Sequence, residues 1–153
     1  EWALNRDNLL KIIPLVKERV DVFSQLAPMI SFFAEGMPEL SPESFKVKNV
    51  EEEDVKKILQ FSLWRLEAQM LWERDPLNQL FVDLAESLGL KLRDVLAPIF
   101  VAISGKPVAP PLFDSMAILG PDICRARLRH AVNILGGVSK KQVKRLEKEY
   151  KEL

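Results

Sequence analysis

Apolar residues recur at spacings of three and four along most of the chain, the pattern of amphipathic helices. No alternating run is long enough for a sheet, and no repeat of roughly 20–50 residues is present. We therefore expect an all-α fold without a sheet. The predicted helices cover residues 5–26, 27–35, 51–71, 77–87, 91–100, 112–119, 121–135 and 139–153.

Local signals mark several helix starts. The acidic run 51–54 favours a helix N-terminus over a metal site, because four adjacent acidic residues cannot all face one ion. Pro121 suits a first helical position, and Ser139 with Gln142 matches a capping box.

Turn residues divide these helices into two groups. Asp75-Pro76 is a predicted break, and residues 101–113 form a rigid, apolar, Pro-rich loop. We expect two helical lobes in a two-lobed domain. The first lobe covers residues 1–85, and the second covers residues 86–153 and includes the Pro-rich loop.

Composition is that of a folded protein. The chain has 153 residues, of which 48% are hydrophobic and 29% charged, enough to bury a core without disulfides. Its apolar stretches are too short to span a membrane. The single cysteine, Cys124, excludes an internal disulfide and fits a reducing compartment, and its spacing predicts a buried thiol. The single histidine, His130, is expected to be a polar surface residue or a nucleic-acid contact.

Charge is uneven along the chain although the net charge is zero. Residues 1–85 carry 10 basic and 15 acidic side chains, and residues 86–153 carry 12 and 7. Such a split suggests a polyanionic partner at the second half. On charge alone, an equally open alternative is that solvated helix faces differ in sign.

Basic residues cluster near the Pro-rich loop. They are Lys106 in the loop, Arg125, Arg127, Arg129 and His130 on one helix, and Lys140, Lys141, Lys144, Arg145 and Lys148 on the next. Exposed cations beside an ordered apolar loop suit single-stranded nucleic acid, since charge holds the backbone and the loop meets unstacked bases. Two solvated amphipathic helices are the alternative, and for the last helix alone that alternative is favoured.

No catalytic motif is present. The chain lacks GxxxxGKS and GxGxxG, and Ser104-Gly105-Lys106 lacks the upstream glycine and the strand that a phosphate loop needs. Cys124 and His130 are six residues apart, on different faces of a helix, which argues against a nucleophile–base pair.

The order of segments in the second half resembles a known family. The segments that carry the resemblance are 88–92, 98–106, 109–113, 118–120 and 127–131, together with 15–19 near the beginning. They are similar to the C-terminal anticodon-binding domain of bacterial-type glutamyl-tRNA synthetases. The family pattern is approximately P-L-R-hydrophobic-A-L-T-G, S/T-P-G-L-F and L-L-G-K-E, followed by R-L and a small residue. The likeness covers about Leu9 to Leu135.

The resemblance implies a part of a larger enzyme. The family is a class I ligase that joins glutamate to tRNA with ATP and Mg, on a Rossmann catalytic domain upstream. This chain, which begins with Glu1 rather than Met, is accordingly expected to be a non-catalytic, all-helical fragment without a cofactor or metal of its own. The implied partner is tRNA-Glu, with tRNA-Gln left open, and the implied state is a cytoplasmic monomer with no membrane partner.

The resemblance also implies RNA contacts. In the family, the arginine of P-L-R and the S/T-P-G-L loop approach anticodon bases. Here Phe100 replaces that arginine; it either stacks on a base or is buried under the loop. In the loop, Pro110 and Leu112 match, Ala109 lacks the hydroxyl and Pro111 replaces the glycine. The predicted tRNA contacts are Arg19, Phe100, Lys106, Ala109, Pro110, Leu112, Arg125 and Arg129.

Two other functions remain open from the sequence. A helical interaction module would dock a partner protein through the apolar Pro-rich loop, and a free-standing enzyme would need a site that the sequence does not show. RNA binding weakens steeply with salt, whereas apolar docking does not.

Overall fold

The computed structural model describes residues 6–19, 23–48, 50–106 and 110–153. Within these residues the chain forms α-helices, a 3₁₀ turn at Pro42–Phe45 and no strand, which confirms the all-α prediction. The helices are α1 (Arg6–Val16), α2 (Phe23–Ala34), α3 (Glu52–Ala68), α4 (Arg74–Leu88), α5 (Leu92–Ser104), α6 (Leu112–Leu119), α7 (Pro121–Ile134) and α8 (Lys140–Lys151).

The prediction of one helix over 5–26 is wrong. Helix α1 ends at Val16, and the N–H of Arg19 turns back onto the Val16 carbonyl at 2.8 Å. Pro14 lies in the last turn of α1; it has no N–H to donate, which weakens that turn. The apolar period then continues into α2 and hides the boundary between the two helices.

Helix α3 ends earlier than the sequence predicts. Met70 and Leu71, assigned to it by their spacing, lie beyond Ala68, and Met70 is 93% exposed. In a longer helix the Leu66 carbonyl would accept a hydrogen bond from Met70. Instead it accepts one from the Gln69 N–H and two from the Arg125 guanidinium.

Two further boundaries were predicted wrongly because prolines were taken to end helices. The predicted break at Asp75-Pro76 lies in the first turn of α4, where proline is tolerated. Helix α5 continues past its predicted end at Phe100 to Ser104, with Pro98 buried inside it. Gly105 then ends α5 in the left-handed region, at φ +69°.

Helix α7 lies at the centre of the packing. It contacts α3 most extensively, and also α5 and α6. The buried apolar residues form one cluster drawn from both halves of the sequence, with Leu59, Phe81 and Leu128 among its fully buried members. The predicted division at residues 85 and 86 falls within α4, and the two lobes stay a prediction.

Helix α8 packs against α3 through aromatic rings. The Tyr150 ring centroid lies 5.2 Å from those of both Phe61 and Trp64, and Leu146 is buried beside them. The helix begins with the predicted capping box. The Ser139 hydroxyl accepts from the Gln142 N–H at 3.2 Å, and Oε1 of Gln142 accepts from the Ser139 N–H at 2.9 Å.

In the part of the chain that the structure describes, no helix has both the length and the apolar character needed to cross a bilayer.

Candidate nucleic-acid interface

An open groove of about 570 Å³ runs between α5 and the segment after the 3₁₀ turn. Phe45 is buried and anchors this segment, which leaves Lys46 and Lys48 exposed. The α5 wall consists of positions spaced three and four apart, one helix face. The groove is lined by Ser44, Lys46, Val47 and Lys48 on one side and by Arg93, Leu96, Ala97, Phe100 and Val101 on the other.

Phe100 lies in this groove and is half-buried. Part of its ring packs against the hydrophobic core, and part lines the groove. The sequence left two roles open for Phe100, core packing and base stacking, and its position is compatible with both. An aromatic face beside cations can stack on an unpaired base. The predicted tRNA contact at Phe100 stays a prediction.

Three cations line the groove. Among the described residues, no carboxylate lies within 4.0 Å of Lys46 or Lys48. Arg93 bonds its neighbour Asp94 through Nε at 3.2 Å, and 76% of its side chain is exposed. Cations around an apolar floor can hold the phosphates of a single strand whose bases stack on that floor.

Sequence reasoning missed these three cations. Lys46 and Lys48 belong to the acidic half of the chain, and Arg93 stands apart from the basic clusters. The one available signal was the Lys-Val-Lys run after Phe45. Its value depends on the packing of that run against α5, which no local pattern encodes.

Arg125, a predicted tRNA contact, binds the protein itself. Its Nε and Nη2 donate to the Leu66 carbonyl at 3.1 and 2.8 Å. Its guanidinium also lies 5.5 Å from the centre of the Trp72 ring. Trp72 is fixed in turn, because its Nε1 donates to the Met116 carbonyl at 2.8 Å. Arg125 thus caps α3, and its contact with tRNA stays a prediction.

Arg129, the next predicted contact along α7, forms an ion pair. Its Nη2 lies 2.6 Å from Oε1 of Glu67 on α3, and both side chains are partly exposed. The pair neutralises the charge that the sequence assigned to RNA. His130 is partly exposed.

The assignment of Arg127 to the exposed basic group is wrong: the residue is 1% exposed. Its guanidinium donates from Nη1 to the Ile103 carbonyl and from Nη2 to the carbonyls of Phe32, Glu35 and Gly36, at 2.5 to 3.1 Å. Burial lowers the pKa of Arg127, while the nearby Cys124 and Glu35 act in the opposite direction. Helical spacing placed it beside Arg125 and Arg129 but did not show that it faces inward.

The other predicted contacts have different surroundings. Lys106 Nζ donates to the Ser31 hydroxyl at 2.6 Å. The side chains of Pro110 and Leu112 are buried, and Arg19 is exposed in the turn after α1. Ala109 lies outside the described residues. The roles of these residues toward RNA stay predictions.

Cys124 is buried on α7, as its spacing predicted. Burial raises the pKa of the thiol from 9.0 to about 12, although the nearby Arg127 and Arg125 act to lower it. Among the described residues, no group of three or more His, Cys, Asp or Glu is arranged to hold a metal ion.

A family model described as "Anticodon binding domain" matches residues 1–132. The chain belongs to this family. The match favours RNA over a partner protein docked on the Pro-rich loop. All groove residues of this anticodon-binding domain lie inside the matched range, whereas α8 lies beyond it.

Two similar curated proteins are glutamate–tRNA ligases. A glutamate–tRNA ligase of Marinomonas sp. (strain MWYL1) is 52% identical over the whole chain, and one of Saccharophagus degradans is 47% identical over 98% of it. The chain spans 31% and 30% of the length of these relatives.

A solved structure shares the fold. The crystal structure of a glutamate tRNA ligase from Elizabethkingia meningosepticum, in complex with its amino acid, aligns with a TM-score of 0.74 at 22% identity. The alignment covers 87% of this chain and 26% of that one.

Proposed function

We propose that this anticodon-binding domain binds the anticodon arm of tRNA-Glu as part of a glutamate–tRNA ligase. The family match and the names of the curated relatives support the assignment. Because the chain spans about a third of those relatives, ligation of glutamate with ATP and Mg belongs to a catalytic domain outside this chain. The parent enzyme acts in the cytoplasm, in line with the free, buried Cys124, and acts as a monomer.

The groove is the observation that carries the proposal. Lys46, Lys48 and Arg93 surround an apolar floor that includes the half-buried Phe100. Phosphates of the anticodon loop are held by the cations, and an unstacked base lies against the ring of Phe100. Such binding needs no chemistry from the domain, and it orients the rest of the tRNA toward the catalytic domain.

A matched pair of triple variants tests the site. The groove variant combines Lys46→Gln, Lys48→Gln and Arg93→Gln. The control combines Lys140→Gln, Lys144→Gln and Lys148→Gln on α8, with the same change in charge. Affinity for an RNA hairpin with the sequence of a tRNA-Glu anticodon arm is measured across a salt series.

The groove variant is expected to bind more weakly and to lose about 2 units of the log–log salt slope, since each single-strand phosphate contact contributes about 0.7. The control variant is expected to match the parent protein. Equal losses from both variants would show that general charge, and not the groove, binds the RNA. A hairpin with the tRNA-Gln anticodon, run beside the first, measures whether that tRNA is also accepted.

A further inference from the structure

Arg127 joins the C-terminal ends of two helices, α5 and α2. Its Nη1 binds the carbonyl of Ile103, in the last turn of α5, and α5 is one wall. Its Nη2 binds carbonyls at the end of α2, including that of Gly36. Gly36 lies six residues before Pro42, the first residue of the 3₁₀ turn. The other wall of the groove follows from this turn. One buried side chain therefore joins the end of α5 to the end of α2. We call these two helix ends the supports of the groove walls.

The electrostatics of this contact favour an arginine. The C-terminus of a helix carries about half a negative charge. The ends of α2 and α5 meet at Arg127 and together offset its single positive charge. The planar fork of the guanidinium can donate to both ends at once, whereas a lysine ammonium is a point charge on a flexible stem.

Two further contacts join the same supports. Gly105, at the end of α5, approaches the chain after α2 so closely that a Cβ on it would lie 2.9 Å from Cβ of Pro38. Lys106 follows and binds Ser31 of α2. The end of α5 and the end of α2 are thus held at a fixed separation at several points, with Arg127 as the buried one.

We propose that Arg127 is a positioning residue that sets the width of the groove, and through it the affinity for RNA, without touching RNA itself. The inference rests on the proposed function for its RNA readout. Its structural readout, the distance across the groove, does not depend on that function.

The first experiment measures the width directly. Spin labels are attached at Ser44→Cys and Arg93→Cys, one on each wall, in the free protein. The native Cys124 is buried with a raised pKa and does not compete for the label. The label-to-label distance is expected to be narrowly distributed with Arg127 present and to become broader or longer in Arg127→Met. An unchanged distribution would overturn the inference.

The second experiment measures RNA binding by Arg127→Met at a temperature at which the variant is folded. Affinity for the anticodon-arm hairpin is expected to fall roughly tenfold, with an unchanged salt slope, because no phosphate contact is lost. A slope reduced by about 0.7 would make Arg127 a direct contact. A lower unfolding temperature with unchanged affinity would make its role purely structural, and either result overturns the inference.

Leu146→Ala is the stability control. Leu146 is buried on α8 and belongs to neither wall of the groove. Its loss is expected to lower the unfolding temperature while leaving the RNA affinity of the folded protein unchanged.

A second variant keeps the test decisive if Arg127→Met does not fold. Gly105→Ala places a methyl group against Pro38 and pushes the supports apart, with every charge retained. Gly89→Ala is its matched control, because φ is +65° there and +69° at Gly105, yet nothing lies within 4 Å of a Cβ at Gly89. Gly105→Ala is expected to widen the groove and weaken RNA binding relative to Gly89→Ala. Equal behaviour of the two variants would overturn the inference.

The two proposals fail in different ways. If the parent protein does not bind the hairpin, the proposed function fails, and the spin-label distances still decide the role of Arg127. If the parent protein binds through the groove but Arg127→Met and Gly105→Ala change neither width nor affinity, only the further inference fails.

Discussion

The groove and α7 both carry positively charged side chains, but these side chains differ in their partners. Lys46 and Lys48 have no carboxylate within ion-pair distance among the described residues, and they border an apolar floor. On α7, Arg125 and Arg127 bind backbone carbonyls and Arg129 binds a carboxylate. A cation that already binds a carbonyl or carboxylate of the protein attracts an anionic ligand less strongly than a cation that is exposed to water.

Packing explains the difference. Helix α7 is surrounded by α3, α5 and α6, so its long side chains reach the carbonyls at the ends of neighbouring helices. Arginine suits these positions because its five N–H donors can satisfy several carbonyls at once. The groove lysines are exposed, and within the described part of the chain neither forms an ion pair, so both stay available to an anion.

The largest expected effect is the loss of unfolding free energy when Arg127 on α7 is replaced. Arg127→Ala removes the side-chain donor from the buried carbonyl oxygens of Ile103 and Phe32 and opens a cavity, so the free energy of unfolding is expected to fall by about 3–5 kcal/mol. Denaturant unfolding measures it. Arg129→Ala on the same helix is the control, at about 0.2–1 kcal/mol for a partly exposed ion pair. Similar costs for both would remove the distinction between the two arginines.

Variants of Phe100 test whether the groove binds RNA. Phe100→Ala is expected to weaken binding of the anticodon-arm hairpin by about 1–3 kcal/mol, the free energy that stacking of one base contributes. Phe100→Arg is expected to fold and to bind at least as well as the parent protein, because part of this position faces the groove. Titration of labelled hairpin measures both variants.

The control for Phe100 is Phe81→Ala, since Phe81 is fully buried outside the groove. It is expected to cost about 3–5 kcal/mol of stability and no affinity in the folded protein. Unfolding of Phe100→Arg would place position 100 in the core and remove it from the groove.

Cys124 reports on the inward face of α7. Its pKa is raised from 9.0 to about 12 by burial, so the unfolded chain loses the proton first as pH rises. This contribution to stability is complete below pH 9 and falls above it, by about 1.4 kcal/mol per pH unit until about pH 12. Urea unfolding of the parent protein and Cys124→Ala, below and above pH 9, isolates the effect. A difference between the two proteins that does not change with pH would mean that the thiol is not buried.

The smallest expected effect is on RNA binding by Arg129→Gln. Because Glu67 already neutralises this arginine, affinity is expected to stay within about twofold and the salt slope to stay unchanged. The same salt series measures both. A slope lower by about 0.7 would show that Arg129 leaves Glu67 for a phosphate, and the comparison between α7 and the groove would then fail.

The fold was largely predictable because its signals are local. The period of three and four, the capping box at Ser139 and the start at Pro121 each depend on neighbours in the chain, and the structure confirms them. Prolines inside helices account for several boundary errors, but the end of α3 is decided by a distant group. Arg125 reaches from α7 to the Leu66 carbonyl and ends α3, a contact between residues 59 positions apart that no periodicity contains.

The site was less predictable than the fold. The resemblance pointed to Phe100 and the Pro-rich loop, and Phe100 does line the groove. The charge argument pointed to α7 and placed Arg127 wrongly, because counting arginines on a helix does not reveal which of them face inward. The RNA contacts predicted at Arg125 and Arg129 stay predictions. Lys46 and Lys48 could be found only by knowing that the 3₁₀ turn packs against α5.

The ring cluster between α3 and α8 gives the last helix an optical signal of its own. Trp64 contacts both Phe61 and Tyr150, with ring centres 5.7 and 5.2 Å away. Excitation energy absorbed by Tyr150 passes to Trp64 only while α8 is docked, whereas Trp72 reports on its own contact with Arg125. Trp2 is the third tryptophan of the chain. Emission from a protein that carries both Trp2→Phe and Trp72→Phe therefore follows the attachment of α8, which lies wholly beyond the family match, independently of events in the groove.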